Sequence, residues 1–360
     1  MKLAIVHSGQ IKRCPHIQIF RTVLSRLNVG YDIICWDRDE KCDTEGIICN
    51  HKCPTGSSQL KKLWSYYKFT EFAIKTIRRN QYDKLIIIGS PIGICLYNFL
   101  KQNYPYKFWL DYRDLSIEQK FRRRFKKLLD ISEYISISSP GYKKVLPKGY
   151  KFILSHNLDV DIVKKILSED LKISSAKTTK RPIVVSTIGY LRDTQVNIDI
   201  IEGLKNNNKF QVRFIGDGPA GSVLRTYVEN NKIKNVDFIG MYERENEHLF
   251  YETTDFVNIY MPTALRSTLM TNRIYNALLY KKPVIVAANS TQSEYVEKYN
   301  LGIAVEDCNN LAEKIEKFEA EIDEIKYIEN CNILLNEFVD DYNLFEKKMI
   351  DFIQKYSRRE

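Results

Sequence analysis

The sequence predicts an α/β protein made of two doubly wound parallel-sheet domains. Three observations lead there. Short apolar runs rich in Ile and aromatic residues alternate with longer amphipathic segments along most of the chain, the pattern of parallel strands joined by crossover helices. The alternation occurs twice, on either side of a polar stretch at 168–182, SEDLKISSAKTTKRP. The 360 residues suffice for two cores at ~100 to 200 residues per domain, with a ligand cleft expected between them.

In the first half the strands are KLAIVH, YDIICW, KLIIIG, YKFWLD and YISISS, and helical spacing covers 15–28, 57–80, 91–103 and 116–132. In the second half they are PIVVSTIG, FQVRFI, NVDFIG, DFVNIY and PVIVA, with helices near 196–206, 220–231 and 272–281. From 309 onward the chain reads as helix. The expected domains are therefore 1–165 and 166–339, with a terminal helix at 340–360 able to return to the first.

Composition excludes several classes. A chain that is 44% hydrophobic and 28% charged is globular, not disordered. It has no apolar run long enough to span a bilayer, and Met1 opens directly into a strand, which points away from secretion. Eight scattered cysteines without an export signal read as reduced thiols in a cytoplasm. Cys42, Cys49, His51 and Cys53 lack the Cys-x2-Cys knuckle of a structural zinc site, so no metal is expected. The net charge of +10 favours anionic partners. It is concentrated in Lys120, Arg122, Arg123, Arg124, Lys126 and Lys127. There Phe121, Phe125, Leu128 and Leu129 recur at helical spacing, so the segment reads either as a helix for an anionic membrane interface or as a solvated basic face over a packed stripe. No nucleic-acid module accompanies it.

In open parallel sheets ligands bind beyond the carboxyl ends of the strands, so the loops there carry the chemistry. After the first strand, Gly9 permits close backbone approach to a ligand. Gly216-Asp217-Gly218-Pro219 follows FQVRFI and reads either as a plain turn or as a phosphate-facing helix start. The segment 262–288 places Arg266 and Thr268 in a loop and Thr271, Asn272 and Arg273 in the first turn of a helix. The segment reads either as an ordinary capped helix or as a diphosphate site, since helix N–H dipoles beside a guanidinium suit one. In the first half, Asp111-Tyr112-Arg113-Asp114 puts two carboxylates and a guanidinium at a strand end, a candidate acid or base for an acceptor hydroxyl or a surface ion pair with a helix cap.

The ordered set STIGYLRD, FQVRFIGDGP, VDFIGMY and TNRIYNALLYKKPVIVAANSTQSEYVEKYNLGIAV, preceded by WLDYRDLS, YISISSPGYKKVL and LSHNLDVD, resembles the GT-B glycosyltransferases, most closely glycosyltransferase family four. The resemblance implies two Rossmann-like domains facing a cleft. It also implies transfer of a sugar from a nucleotide-diphosphate sugar, with retained configuration and without a metal or a further cofactor. The implied acceptor is a glycan or a polyprenyl-diphosphate-linked oligosaccharide of surface polysaccharide assembly. Gly216, Asp217 and Gly218 match the loop near the nucleotide, Gly240, Met241 and Tyr242 the loop at the base, and Thr271, Asn272 and Arg273 the helix start under the diphosphate. Arg192, Arg266 and Arg273 are the cations for the diphosphate charge. The family's paired glutamates fall on Thr268 and Asn276. This departure keeps open two alternatives on the same fold, a non-catalytic binding subunit and a sugar-nucleotide epimerase.

Overall fold

The computed structural model describes residues 1–11, 14, 16–38, 45–54, 56–168, 181–264 and 266–355. The chain divides into two compact units, Met1–Asn157 with Asp340–Glu360, and Leu158–Val339. Most of the polar stretch expected as a linker, 169–180, lies outside the described residues.

The first unit runs β1 (Leu3–His7), α1 (Ile17–Arg26), β2 (Tyr31–Asp37), β3 (Ile47–Asn50), α2 (Gln59–Asn80), β4 (Lys84–Ile88), α3 (Ser90–Asn103), β5 (Phe108–Tyr112), α4 (Arg122–Asp130), β6 (Tyr134–Ile137) and β7 (Ile153–Leu154). Its seven strands are ordered β3-β2-β1-β4-β5-β6-β7, all parallel, with Leu3 of the central β1 opposite Tyr31 on one side and Lys84 on the other. Helix α3 packs between α2 and α4. Residues buried on both faces explain why the central strands read as continuous apolar runs rather than alternating ones.

The second unit runs α5 (Val160–Ser168), β8 (Ile183–Ile188), α6 (Thr194–Leu204), β9 (Phe210–Ile215), α7 (Gly221–Asn230), β10 (Val236–Gly240), α8 (Glu247–Glu252), β11 (Phe256–Ile259), α9 (Asn272–Leu279), β12 (Val284–Ala287), α10 (Thr291–Tyr299), β13 (Gly302–Val305), α11 (Leu311–Glu321) and α12 (Glu324–Gln354). Its sheet is ordered β10-β9-β8-β11-β12-β13 and is parallel throughout. Helix α12 starts in the second unit and ends in the first.

Within the first unit, the end of α12 closes the core. Phe345 and Phe352 stand edge-on to Trp109, with ring centroids 5.3 and 5.8 Å away, and Phe20 of α1 lies 6.2 Å from the same indole. Beneath them Lys84, 1% exposed, donates to Glu133 Oε2 at 3.2 Å and to the Phe352 carbonyl oxygen. A buried ammonium is tolerated because these acceptors replace its water.

The basic segment divides the apolar stripe expected on it. Phe125, Leu128 and Leu129 are buried, and Leu128 lies so close to α3 that a Cβ on Gly93 would come within 2.8 Å of its Cδ2. These three side chains are therefore spent on packing, while Phe121, at the N-cap of α4, stays 49% exposed. Arg122, Arg123, Lys126 and Lys127 remain exposed, while Arg124 Nε donates to the Ile94 carbonyl oxygen at 3.0 Å.

Lys84→Ala leaves Glu133 and the Phe352 carbonyl without their shared donor. Urea denaturation should show a loss of about 3 kcal/mol, against less than about 0.5 kcal/mol for the exposed Lys126→Ala.

Candidate functional site

Each sheet reverses its winding beside its first strand, between β1 and β4 and between β8 and β11. Loops leaving neighbouring strands there diverge to opposite faces, and the gap is the usual ligand crevice of such sheets. In the second unit the loops concerned are 189–193 after β8 and 260–271 after β11.

The loops after β8 and β9 interlock. Gly189 N donates to Ile215 O at 2.7 Å, Leu191 N to Asp217 O at 3.1 Å, and Ala220 N to Leu191 O at 3.1 Å. A Cβ at Gly216 would stand 2.2 Å from Gly189 O, and one at Gly218 2.3 Å from Leu191 O. These glycines are glycines for backbone reasons. Their N–H groups are engaged internally, Gly216 N with Gly240 O at 2.8 Å and Gly218 N with Asp217 Oδ1 at 2.7 Å.

Against this platform stands the start of α9. Thr271 has the extended backbone of an N-cap, yet its N–H and Oγ1 both donate to Gln292 Oε1, at 3.0 and 2.9 Å, and its side chain does not cap the helix. Asn272 occupies the first helical position. Arg273 reaches across the switch point, with Nε 2.5 Å from Ile188 O and a terminal nitrogen 3.2 Å from Tyr190 O. Burial pushes its pKa down, partly offset by the nearby tyrosines and carboxylates, but a guanidinium stays charged. Its acceptors are carbonyl oxygens, so its positive charge is not cancelled by a direct carboxylate partner.

Arg266 is differently placed, since it forms a two-pronged ion pair with Asp193, the second contact at 3.0 Å. Arg192 is exposed and lies over the Tyr190 ring at 5.5 Å. Thr268 is buried. The loop around them borders a cavity of about 490 Å³ lined by Met261, Pro262, Thr263 and Ser267 and, from the ends of β12 and β13, by Asn289 and Glu306.

A carboxylate not foreseen in the sequence completes the set. Glu247, in α8, accepts from Asn276 Nδ2 at 2.6 Å through Oε1 and from the Tyr242 hydroxyl at 3.1 Å through Oε2. Burial and this carboxylate push the Tyr242 phenol up. Met241, beside it, is 82% exposed.

No protein-family model matches the chain, and no curated protein matches it in sequence. Solved structures do. Sucrose-phosphate synthase from Thermosynechococcus elongatus superposes with a TM-score of 0.68 at 14% identity, covering 100% of both chains. A glycosyltransferase from Rickettsia africae gives 0.67 at 14% identity over 98% of each. Anabaena HepE in complex with UDP and glucose gives 0.62 at 14% identity over 97% of this chain and 99% of that one. The chain has the GT-B fold.

In the first unit of this GT-B chain, Asp111 lies on β5 itself and is fully buried. Its Oδ1 accepts from Ser136 Oγ at 2.5 Å and its Oδ2 from Arg113 Nε at 2.6 Å. Arg113 donates further to Ser155 O at 2.9 Å and Ser155 Oγ at 2.7 Å. Asp114 is exposed. The structure thus joins Asp111 and Arg113 in a buried pair and leaves Asp114 as the accessible carboxylate. Gly9 abuts the His7 ring, where a Cβ would lie 2.8 Å from Nε2. Of the cysteine and histidine set weighed for zinc, Cys42 lies outside the described residues, and His51 Nε2 is 3.0 Å from Ser65 Oγ.

Two glycines separate collision from backbone strain. Gly218→Ala drives a Cβ into a carbonyl oxygen and should cost about 2 to 4 kcal/mol in urea denaturation. Gly240→Ala, at φ +85 with nothing within 4 Å of its Cβ, should cost only about 1 to 2 kcal/mol.

Proposed function

We propose that the chain is a glycosyltransferase that moves a sugar from a nucleotide-diphosphate sugar to a glycan or lipid-linked acceptor. The observation that carries the reading is Arg273, a half-buried guanidinium bonded to carbonyl oxygens at the start of α9 and beside the switch point. A cation that no carboxylate cancels, set at the positive end of a helix, attracts an anion. The diphosphate would lie over this helix start, with Arg192 free to swing onto it and Arg266 held by Asp193. The ribose would meet Asn276 and Glu247. In this reading Glu247 returns from α8 the carboxylate that the family pattern carries at position 276. The transferred sugar would occupy the cavity beside Pro262 and Thr263. Stabilising the leaving diphosphate by fixed dipoles and cations lowers the barrier without a protein nucleophile or a metal, consistent with retained configuration. Asp111 and Arg113 serve as a positioning pair, leaving Asp114 to meet the acceptor.

The acceptor end also supports a cytoplasmic protein that visits the inner membrane face, as a bacterial surface-polysaccharide enzyme would. No helix among the described residues is long and apolar enough to cross a membrane. An apolar stripe does stand in water on α2, where Leu60, Leu63, Trp64 and Tyr67 are 81, 69, 54 and 53% exposed at helical spacing. Lys61, Lys62 and Lys68 flank it. Both α2 and α4 begin near the carboxyl edge of the first sheet and pack on α3, so the stripe and the cations of α4 share one helical layer. Apolar side chains among lysines and arginines suit an anionic bilayer surface.

Thermal-shift titration with UDP, GDP, CMP, dTDP and their sugar conjugates tests the donor site. One nucleotide at ~100 times its dissociation constant should stabilise the chain by about 2.7 kcal/mol. Arg273→Ala should abolish the shift, and Glu247→Gln should weaken binding roughly tenfold. No shift with any nucleotide leaves the non-catalytic alternative, whereas donor conversion without an acceptor favours the epimerase.

For the membrane surface, Trp64 is a built-in reporter because Trp36 and Trp109 are fully buried. Phosphatidylglycerol vesicles should shift its emission to the blue and phosphatidylcholine vesicles should not. Leu63→Glu, or Arg122, Arg123 and Arg124 all changed to Glu, should remove the shift. Unchanged binding in both variants would refute this surface.

A further inference from the structure

At the switch point of the first sheet, β1 ends in His7, and the chain returns through Cys14 and His16 at the start of α1. The ligand atoms of these three side chains all lie within 4.8 Å of one another, and among the described residues they form the only such group of three. Cys14 Sγ is 2.8 Å from His16 Nε2, and the two imidazoles meet edge to face with centroids 6.0 Å apart. Cys14 is 2% exposed. His7 Nδ1 is buried without a hydrogen-bond partner, and the Ile88 backbone lies near the ring. A buried imidazole nitrogen with nothing to bond is costly unless something occupies its lone pair.

We propose that His7, Cys14 and His16 form a zinc(II)-binding site at the carboxyl edge of the first sheet. Two imidazoles and one thiolate are the borderline-soft donors that zinc prefers, and three protein ligands leave a fourth position for water or an oxygen of a bound molecule. Bond lengths of about 2.0 to 2.3 Å set tetrahedral ligand separations at roughly 3.3 to 3.6 Å, so the triad closes on the ion by side-chain shifts of about an ångström.

Coordination would change the local charge by one unit. Arg113 lies close enough to act on Cys14 and His16 but is paired with Asp111, and coordination converts the thiol to a thiolate with release of its proton. Zinc, thiolate and the Asp111–Arg113 pair sum to one positive charge. Gly9 supplies the space, since any side chain there would strike the His7 ring. The proposal stands apart from the donor site in the second unit and does not depend on the sugar-transfer reading.

Cobalt(II) titration of the chelator-stripped full chain, under reducing conditions, tests the site. One equivalent should produce a thiolate-to-cobalt charge-transfer band in the near ultraviolet and four-coordinate d–d bands in the visible, both erased by zinc. Zinc alone should raise the melting temperature. Cys14→Ser should remove the charge-transfer band while Cys49→Ser and Cys53→Ser keep it, and His16→Gln should weaken cobalt binding at least tenfold. Circular dichroism establishes that each variant is folded, with His7→Gln as the substitute where one is not. No band in the unaltered chain, or a band that survives in Cys14→Ser, overturns the proposal.

Discussion

A parallel sheet wound outward in both directions from its first strand cannot cover its own carboxyl edge at the point where the winding reverses. Helices depart to opposite faces, and the backbone groups and side chains of the two diverging loops are left facing a gap. Both sheets of this chain have that point, and the groups with unusual chemistry gather there: Arg273 and the 260–271 loop in one unit, His7 and its partners in the other. What holds the gap of the second sheet in shape is close backbone packing beside it. Gly216 and Gly218 let the loops after β8 and β9 touch at distances no side chain allows, so the platform under the helix start is set by main-chain contact rather than by adjustable side chains.

Charge is distributed with similar economy. Arg113 is matched by Asp111 and Arg266 by Asp193, and each pair fixes a loop or strand end instead of presenting charge to a ligand. Arg273 differs because carbonyl oxygens orient a guanidinium without neutralising it. One network works in the opposite sense. Asn276 and Tyr242 both donate to Glu247, which concentrates negative character at the far side of the α9 start. A molecule with an anionic middle and a hydroxyl-bearing end would meet complementary groups at each.

Much of this was legible in the sequence. The central strands announce themselves because burial on both faces demands unbroken runs such as LIII and VIVA. Missed were β3, the two-residue β7 and β13, whose short segments at or near sheet edges carry too few apolar residues to give a period. The basic helix was seen, but spacing alone does not say whether a stripe meets lipid or protein; Leu128 against Gly93 decides it. The exposed stripe on α2 has the same period as a buried one, and only the fold shows which side faces solvent. Glu247 was invisible because its partner Asn276 lies in another helix with a strand between them. Cys14 and His16 are near neighbours in sequence, yet nothing in the spacing shows that His7 folds back onto them.

The return of α12 into the first unit has a consequence for how the protein is made. Residues 1–157 contain every strand of the first sheet, yet the face around Trp109 and the acceptor for Lys84 arrive with Phe345 and Phe352. A ribosome delivers those residues only after the whole second unit. The second unit, contained within Leu158–Val339, has its whole sequence available earlier, while the first waits with an open apolar face until the end of α12 has been synthesised. Order of synthesis and order of completion are therefore reversed, and the nascent first unit is the species that most needs shielding from aggregation.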